Sequence, residues 1–345
     1  MNKSKRKPPH RTRRDATLAD VAKLAGVSPI TASRALHQPH LVAPDTTSRV
    51  RDAADTLAYV PNLLAGGLRS RKSRLVTAVI PSTQNPVFEE MIHTLRNELL
   101  GSGYQLMLGM SDYGASSEDE LLDAIISRRP DGIVLTGVVH SPSLRRRLIG
   151  AKIPVVETWD LTPTPIDMLV GFSHEKIGRA AAEYFIRRGA RKPALIMAED
   201  QRSLLRRDGF LAVAAEQDVA VAGCMIVPAP SVLGMGRSGL GKLLAADPDI
   251  DAVFCSSDQL AMGVLFEAIA RGIAIPGQIA VMGFGNLNAS ADTYPALTTV
   301  AVDGNLIGRQ AARLLLERVG EAEPSQLSQS PIIDIGFRII TRASA

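Results

Sequence analysis

A helix-turn-helix headpiece, joined by a short hinge to an α/β core of two doubly wound parallel-sheet lobes, is the fold class this sequence predicts. Three observations predict it. Charge is segregated: Met1 to Arg74 holds 15 Lys and Arg against 5 Asp and Glu, while the remainder holds 24 against 30. Two short helix-period segments are joined through Gly26-Val27-Ser28. From Leu75 onward, apolar strand-like runs alternate with helix-period stretches in two series of similar length.

A chain of 345 residues exceeds one typical domain. Hydrophobic content of 46% with 4% aromatic residues fits an Ala/Val/Leu/Ile-rich α/β protein. No run approaches the about 18 apolar residues of a membrane span. The first residues, Met1 to Asp15, are basic and polar with no apolar segment behind them, so they do not read as a secretory signal. Cys224 and Cys255 make neither a disulfide framework nor a metal spacing and read as buried free thiols in a reducing compartment. The expectation is a cytoplasmic protein with no cofactor and no metal. The basic end is a polyanion-binding module, although a run such as Lys3-Ser4-Lys5-Arg6-Lys7, taken alone, is more often a solvated, disordered arm than a specific reader.

Taken in order, Thr17 caps a first helix whose apolar positions Leu18, Val21, Ala22 and Ala25 follow i, i+3, i+4, i+7 spacing. Gly26 stops it, and Ser28-Pro29 starts a second, an N-cap with proline at the first helical position. In the helix from Pro29 to Leu36, Ala32, Ala35 and Leu36 form a small apolar face, with Pro29, Ile30, Ser33 and Arg34 on the other side. Small inward side chains let two such helices pack closely while the outward face enters a major groove. Pro44-Asp45 begins a third helix with Val50, Ala53, Ala54 and Leu57 as its buried stripe.

Thr17-Leu18-Ala19-Asp20-Val21-Ala22, Ala25-Gly26-Val27-Ser28, Thr31-Ala32-Ser33-Arg34 and Tyr59-Val60-Pro61-Asn62 together resemble the LacI/GalR family headpiece, in order through residues 17 to 68. That resemblance implies base-discriminating roles for Pro29 and Ile30 and a guanine contact for Arg34, a side chain suited to bidentate contact with guanine edges. It assigns phosphate contacts to Thr31, Ser33 and the helix start at Thr17 and Ser28. Pro29 departs from the family pattern, offering only an apolar contact, so operator preference does not carry over. A surface salt bridge is the plain alternative for Arg34.

Asn62 to Leu68 reads Asn-Leu-Leu-Ala-Gly-Gly-Leu. In the resembled family this hinge becomes helical on operator DNA, and the residue matching Leu68 wedges into the minor groove. A segment this short is below the length for independent helix stability. Gly66 and Gly67 each cost roughly 0.8–1 kcal/mol against Ala. A flexible linker ending in one apolar anchor is the alternative. The expected organisation is a disordered basic arm over 1–15, the headpiece over 16–61, the hinge over 62–74 and the core over 75–345.

In the core, Leu75–Ile80, Gln105–Met110, Ile133–Thr136 and Pro154–Glu157 read as strands, separated by helices around Phe88–Leu100, Glu118–Ser127 and Pro142–Ile149. Ala194–Met197, Met225–Val227, Ala252–Cys255 and Ala280–Phe284 form the second series. Strand–helix alternation argues parallel sheets covered on both faces. A strand near Leu297–Val302 and a helix over Asn305–Val319 cross back, so the lobes are not simple cuts. The resembled family carries the periplasmic-binding-protein type I architecture. Ligands in such sheets bind beyond the carboxyl ends of strands.

The loops there supply the candidates. Phe88 and Trp159 present faces for the CH groups of a sugar, and Ser82, Gln84 and Asn85 hydrogen-bond hydroxyls. Arg202 and Arg206 align with family arginines that reach the effector; Ser257 and Asn286 face it from later loops. Gly285-Asn286 and Phe172 stand where sugar-binding relatives often carry Asp. Lost carboxylates beside retained arginines favour an anionic ligand. The stretches Ile153 to Glu157 and Asp167 to Phe172, with Leu135-Thr136 and His140-Ser141-Pro142, resemble gluconate-operon repressors most, which implies gluconate or a close sugar acid. Core packing is the alternative for each single pocket residue. The expected partners are a near-palindromic double-stranded operator, a sugar-acid effector and a second copy of the chain, with no membrane.

Gly234-Met235-Gly236-Arg237-Ser238-Gly239 matches G-x-G-x-x-G, making an NAD-binding enzyme a rival, but six residues separate it from the preceding strand. Asp247-Pro248-Asp249-Ile250-Asp251 lacks the glycine and distal Glu of a calcium loop and reads as a solvated turn. His93, His140 and His174 show no ligand spacing and no triad partners. A free periplasmic sugar-binding protein, and a regulator answering to a sugar phosphate or partner protein, complete the alternatives.

Overall fold

The computed structural model describes residues 16–60, 72–81, 88–111, 115–320 and 331–345. The expectations for the arm, for Asn62 and Leu68 in the hinge, and for Ser82, Gln84 and Asn85 fall outside the described residues. The chain divides into two compact units, Met1–Ser73 and Arg74–Ala345, and each is taken by itself.

The headpiece helices are α1 (Leu18–Ala25), α2 (Pro29–His37) and α3 (Pro44–Thr56). Thr17 and Asp20 close a capping box: Thr17 Oγ1 accepts from the Asp20 amide at 3.3 Å, and Asp20 Oδ2 accepts from the Thr17 amide at 2.9 Å. Gly26 ends α1 in the left-handed region, at φ 67°, where a Cβ would be strained. Ser28 Oγ then accepts from the Thr31 amide at 3.1 Å, ahead of Pro29. The core of this unit is Val21, Ala22, Ala25, Ala32, Ala35, Val50, Ala53 and Ala54. Six of those eight are alanines, which is how three short helices come close enough to bury anything.

The second unit holds two sheets. The first contains β1 (Leu75–Ile80), β2 (Gln105–Met110), β3 (Gly132–Thr136), β4 (Val155–Thr158), β5 (Met168–Gly171) and β11 (Ile332–Asp334), in the order β11-β5-β4-β3-β1-β2, all parallel. The second contains β6 (Pro193–Ala198), β7 (Gly223–Val227), β8 (Ala252–Cys255), β9 (Ala280–Phe284), β10 (Thr298–Ala301) and β12 (Arg338–Ile340), in the order β12-β10-β9-β8-β6-β7. Only β12 runs antiparallel, against β10. The first sheet is flanked by α4 (Glu89–Gly101), α5 (Ala115–Ser127), α6 (Pro142–Ala151) and α11 (Gly304–Gly320). Around the second lie α7 (His174–Arg187), α8 (Gln201–Glu216), α9 (Leu233–Ala246) and α10 (Asp258–Ala270). Sheet membership therefore makes the chain pass between lobes three times: after β5, after β10, and between β11 and β12.

Central strands β4, β5, β6 and β8 are buried at every position, and their Val/Ile/Leu-rich runs are what two covered faces require. The sequence pattern identifies nine of these twelve strands but passes over β5, β11 and β12, which are three or four residues long. The G-x-G-x-x-G lies inside α9, not at a strand end. A Cβ on Gly236 would overlap the Leu260 carbonyl, and one on Gly263 the Leu233 carbonyl, so these glycines bring α9 against α10. The acidic run is a turn clamp: Asp251 accepts from the Arg191 and Lys192 amides at 2.6 and 3.0 Å, and Lys192 Nζ pairs with Asp249 at 3.1 Å. Cys255 is buried as expected, but Cys224 is exposed, because β7 lies at the sheet edge.

Candidate DNA-reading face and ligand cleft

In α2 the inward positions Ala32 and Ala35 are fully buried, which turns Pro29, Ile30 and Arg34 to the outside. Ile30 is 65% exposed, far more than an isoleucine with a packing role. Arg34 is exposed and makes no ion pair among the described residues, leaving its fork available. Thr31 and Ser33 are half-buried at the flank of this face. Thr17 and Ser28 serve as caps, their backbones opening α1 and α2.

In the core, a cleft sits beyond the carboxyl ends of β1, β4, β6, β7, β8 and β9. From the first lobe come Phe88 and Trp159. The second lobe contributes His174, Asp200, Arg202, Ser203, Arg206, Ser231, Ser256, Ser257, Asp258, Phe284 and Leu287, with Ala198, Ala229, Pro230 and Gln259 completing the lining. Phe88 and Trp159 meet edge to face, centroids 5.0 Å apart, and Trp159 meets Phe172 the same way at 5.7 Å. Trp159 Nε1 donates to Met91 Sδ at 2.9 Å, and its backbone holds a φ of 69°, rare for a bulky residue.

Arg206 is the centre of the polar side. It is 4% exposed, and its Nη1 donates to His174 Nδ1 at 2.7 Å. Its Nη2 donates to Ser203 Oγ and the Ser256 carbonyl, both at 3.0 Å. The guanidinium stands 4.2 Å from the Phe284 ring centroid. All these partners are neutral. Arg206 Nε and Arg202 Nη1 are buried and have no hydrogen-bond partner among the described residues. Neither arginine has a carboxylate within ion-pairing distance among the described residues; Asp200, for one, binds the Ser203 amide and hydroxyl at 3.0 and 2.6 Å. Burial lowers the Arg206 pKa to about 10, which still leaves it charged at neutral pH. A buried cation with orphaned donors is costly unless an anion meets it.

His174 carries two bonds of fixed sense. Nε2 lies 2.8 Å from the Trp159 carbonyl, which only accepts, and Nδ1 faces Arg206, which only donates. The ring is therefore neutral, with its proton on Nε2. Burial, and then the charges of Arg206 and Arg202, hold its pKa well below the imidazole value. Asp258 is turned away from the cleft's chemistry: it accepts from Thr299 Oγ1 at 2.5 Å, Ser290 Oγ at 2.6 Å and the Leu287 amide at 2.8 Å.

The structure thus gathers Phe88, Trp159, Arg202, Arg206 and Ser257 in one cleft. Asn286 is placed differently. Its backbone is left-handed, at φ 50°, and its Oδ1 accepts from Arg342 Nη2 at 2.7 Å, so Leu287 lines the cleft in its place. Sequence reasoning missed His174, Ser203, Ser256 and Phe284. The His at the start of α7 carried one signal, a histidine immediately after a Ser N-cap at a lobe crossover, but its partners are 15 and 32 residues away. His140 also has partners: Nδ1 is 3.3 Å from Glu118 Oε1 and Nε2 is 3.4 Å from Glu157 Oε1, without hydrogen-bond geometry, so the pairing is one of charge.

An outward-facing recognition helix on a basic headpiece, with an arginine-bearing cleft at the strand ends of a two-lobed core, defines a DNA-binding transcriptional regulator. Residues 17–62 match the family described as bacterial regulatory proteins, lacI family, and residues 182–345 match the periplasmic binding protein-like domain. The HTH-type transcriptional regulator GntR of Pseudomonas aeruginosa is 38% identical over 341 residues, covering 97% of each chain. A LacI-family transcriptional regulator from Silicibacter pomeroyi superposes with a TM-score of 0.89 at 33% identity, over 95% of this chain and 99% of that one. Transcription regulator GntR from Chromobacterium violaceum gives 0.73 at 37% identity, over 78% and 98%. The chain belongs to the LacI family. No described helix is long and apolar enough to cross a membrane.

Proposed function

We propose that this protein is a cytoplasmic, dimeric repressor whose core binds a sugar acid such as gluconate and whose grip on a near-palindromic operator is weakened by that ligand. The observation that carries the ligand class is the pair of buried donors, Arg206 Nε and Arg202 Nη1, that have no partner among the described residues, with no carboxylate there in ion-pairing distance of either arginine. A carboxylate is the group that meets such donors in charge-assisted bonds. Phe88 and Trp159 line the same cleft with aromatic surface suited to a polyol chain, and Ser203, Ser231 and Ser257 line it with hydroxyls. The likeness of the chain to GntR regulators supports the same ligand class.

On DNA, Pro29, Ile30 and Arg34 read base edges, with Thr17, Ser28, Thr31 and Ser33 positioning the helices on phosphates. Asn62 and Leu68 follow the family's hinge in the minor groove. Two copies place two such helices in successive major grooves. Exposed apolar residues support pairing of the core: Met107, Leu108 and Met110 on β2, and Phe266 and Ile269 on α10.

Calorimetric titration of the full chain with gluconate, 2-ketogluconate and 6-phosphogluconate tests the ligand class. Binding of at least one sugar acid, with a matching loss of operator affinity, is expected. No heat from any of them at millimolar concentration would withdraw it.

A further inference from the structure

Three observations converge on the first crossover between lobes. Gly171 ends β5 in the first lobe, Ser173 caps α7 in the second, and His174 is the first residue of that helix. Its hydrogen bonds run one way, from Arg206 Nη1 into Nδ1, and from Nε2 out to the carbonyl of Trp159 in the first lobe. Meanwhile α7 and α8 are pressed backbone to backbone: a Cβ on Gly178 would overlap the Arg206 carbonyl, and one on Gly209 the Glu175 carbonyl. His174 and Arg206 therefore move as one body. A change in lobe arrangement is felt at the His174–Trp159 bond.

That bond fixes the tautomer. With Nε2–H held by the Trp159 carbonyl, Nδ1 must present a lone pair, and the lone pair holds the guanidinium of Arg206, a residue that lines the cleft, in one orientation. If the lobes shift and the carbonyl withdraws, Arg206 alone is left to select the tautomer, the ring loses the anchor that fixes its plane, and Arg206 loses its fixed aim. We propose that His174 is a positioning residue that makes the anion-ready geometry of Arg206 conditional on lobe arrangement, and so couples ligand binding to the state of the core. By linkage, a ligand that needs Arg206 so aimed favours the lobe arrangement that supplies the bond. This rests on the anion reading of the cleft.

Two variants separate the halves of the relay. Asn places its Oδ1 where Nδ1 stands, keeping a partner for Arg206, but is too short for Trp159. Gln places its amide nitrogen near Nε2, keeping Trp159 and losing Arg206. The experiment measures operator affinity of the full chain with and without saturating gluconate, alongside gluconate affinity followed by emission of Trp159, the single tryptophan of the chain. In the native chain gluconate changes operator affinity by roughly 5- to 150-fold. His174→Asn is expected to bind gluconate within about tenfold of the native chain while its effect on operator affinity shrinks to about twofold. His174→Gln is expected to lose both affinity and effect. Undiminished coupling in His174→Asn would overturn the proposal, as would loss of gluconate binding by that variant with its fold intact. Should His174→Asn fail to fold by thermal melting, undiminished coupling in His174→Gln overturns it instead. A native chain that ignores every sugar acid removes both this inference and the ligand reading. A responsive native chain with a fully coupled His174→Asn removes this inference alone.

Discussion

In the headpiece, the three side chains that face outward lie within one helix, Pro29 to His37, and two caps plus a stripe of alanines settle where they point. In the core, the cleft draws on six strand ends spread from Phe88 to Leu287, and its central cation is aimed by a histidine at another helix's start. A local surface is therefore tuned residue by residue with little effect on the fold. The gathered cleft is tied into packing, so a change there disturbs binding and stability together.

The largest effect expected from that difference is at Arg206. Arg206→Met removes the cation and leaves His174 Nδ1, Ser203 Oγ and the Ser256 carbonyl without their buried donor. Loss of a desolvated charged group of this kind costs about 2–5 kcal/mol. Gluconate affinity should fall at least about 30-fold, and the melting temperature should fall with it. A variant that loses the ligand at native stability would break the contrast.

The second concerns the first lobe. Burial alone would lower the pKa of His140, but Glu118 and Glu157 outweigh it and raise the value to about 9. A folded-state value above the unfolded 6.5 means the charged ring stabilises the fold. That stabilisation is fully present below pH 6.5 and is lost as pH rises through 9. The stability advantage of the native chain over His140→Gln, from urea unfolding, should therefore shrink between pH 6 and pH 9.5, by up to about 3 kcal/mol. A flat difference contradicts the buried ion triad.

The smallest effect is confined to the headpiece. Arg34→Ala should weaken operator binding by about 1–3 kcal/mol and relax selectivity at one base pair. Gluconate affinity and the melting temperature should not move. Operator binding that is unchanged in gel-shift titration would return Arg34 to an ordinary surface position.

How much of this was legible follows the same divide. The Thr17 and Ser28 caps, Gly26 and the Val21/Ala32/Val50 packing are written in local spacing, and the structure carries each. Strands such as β1 and β9 were legible because a buried parallel strand must be a continuous apolar run. The edge elements β11 and β12 were not, since three residues carry no period. Within the cleft, Arg202 and Arg206 were reached through family alignment, and Phe88 and Trp159 through their places after strands. His174 was dismissed because its partners lie 15 and 32 residues away, and only the fold shows that one ring nitrogen meets each. Asn286 shows the converse, its side chain being drawn to Arg342, 56 residues further on, a pairing that no local spacing announces.

The central claim is that the unpartnered donors of Arg202 and Arg206 await a negative charge. Calorimetry of the full chain against gluconate and against glucitol, the same polyol without the carboxylate, isolates that charge. Gluconate should bind at least about 30-fold more tightly, the difference of 2 kcal/mol or more that a buried charged hydrogen bond commands. Equal affinity for the two would contradict the account.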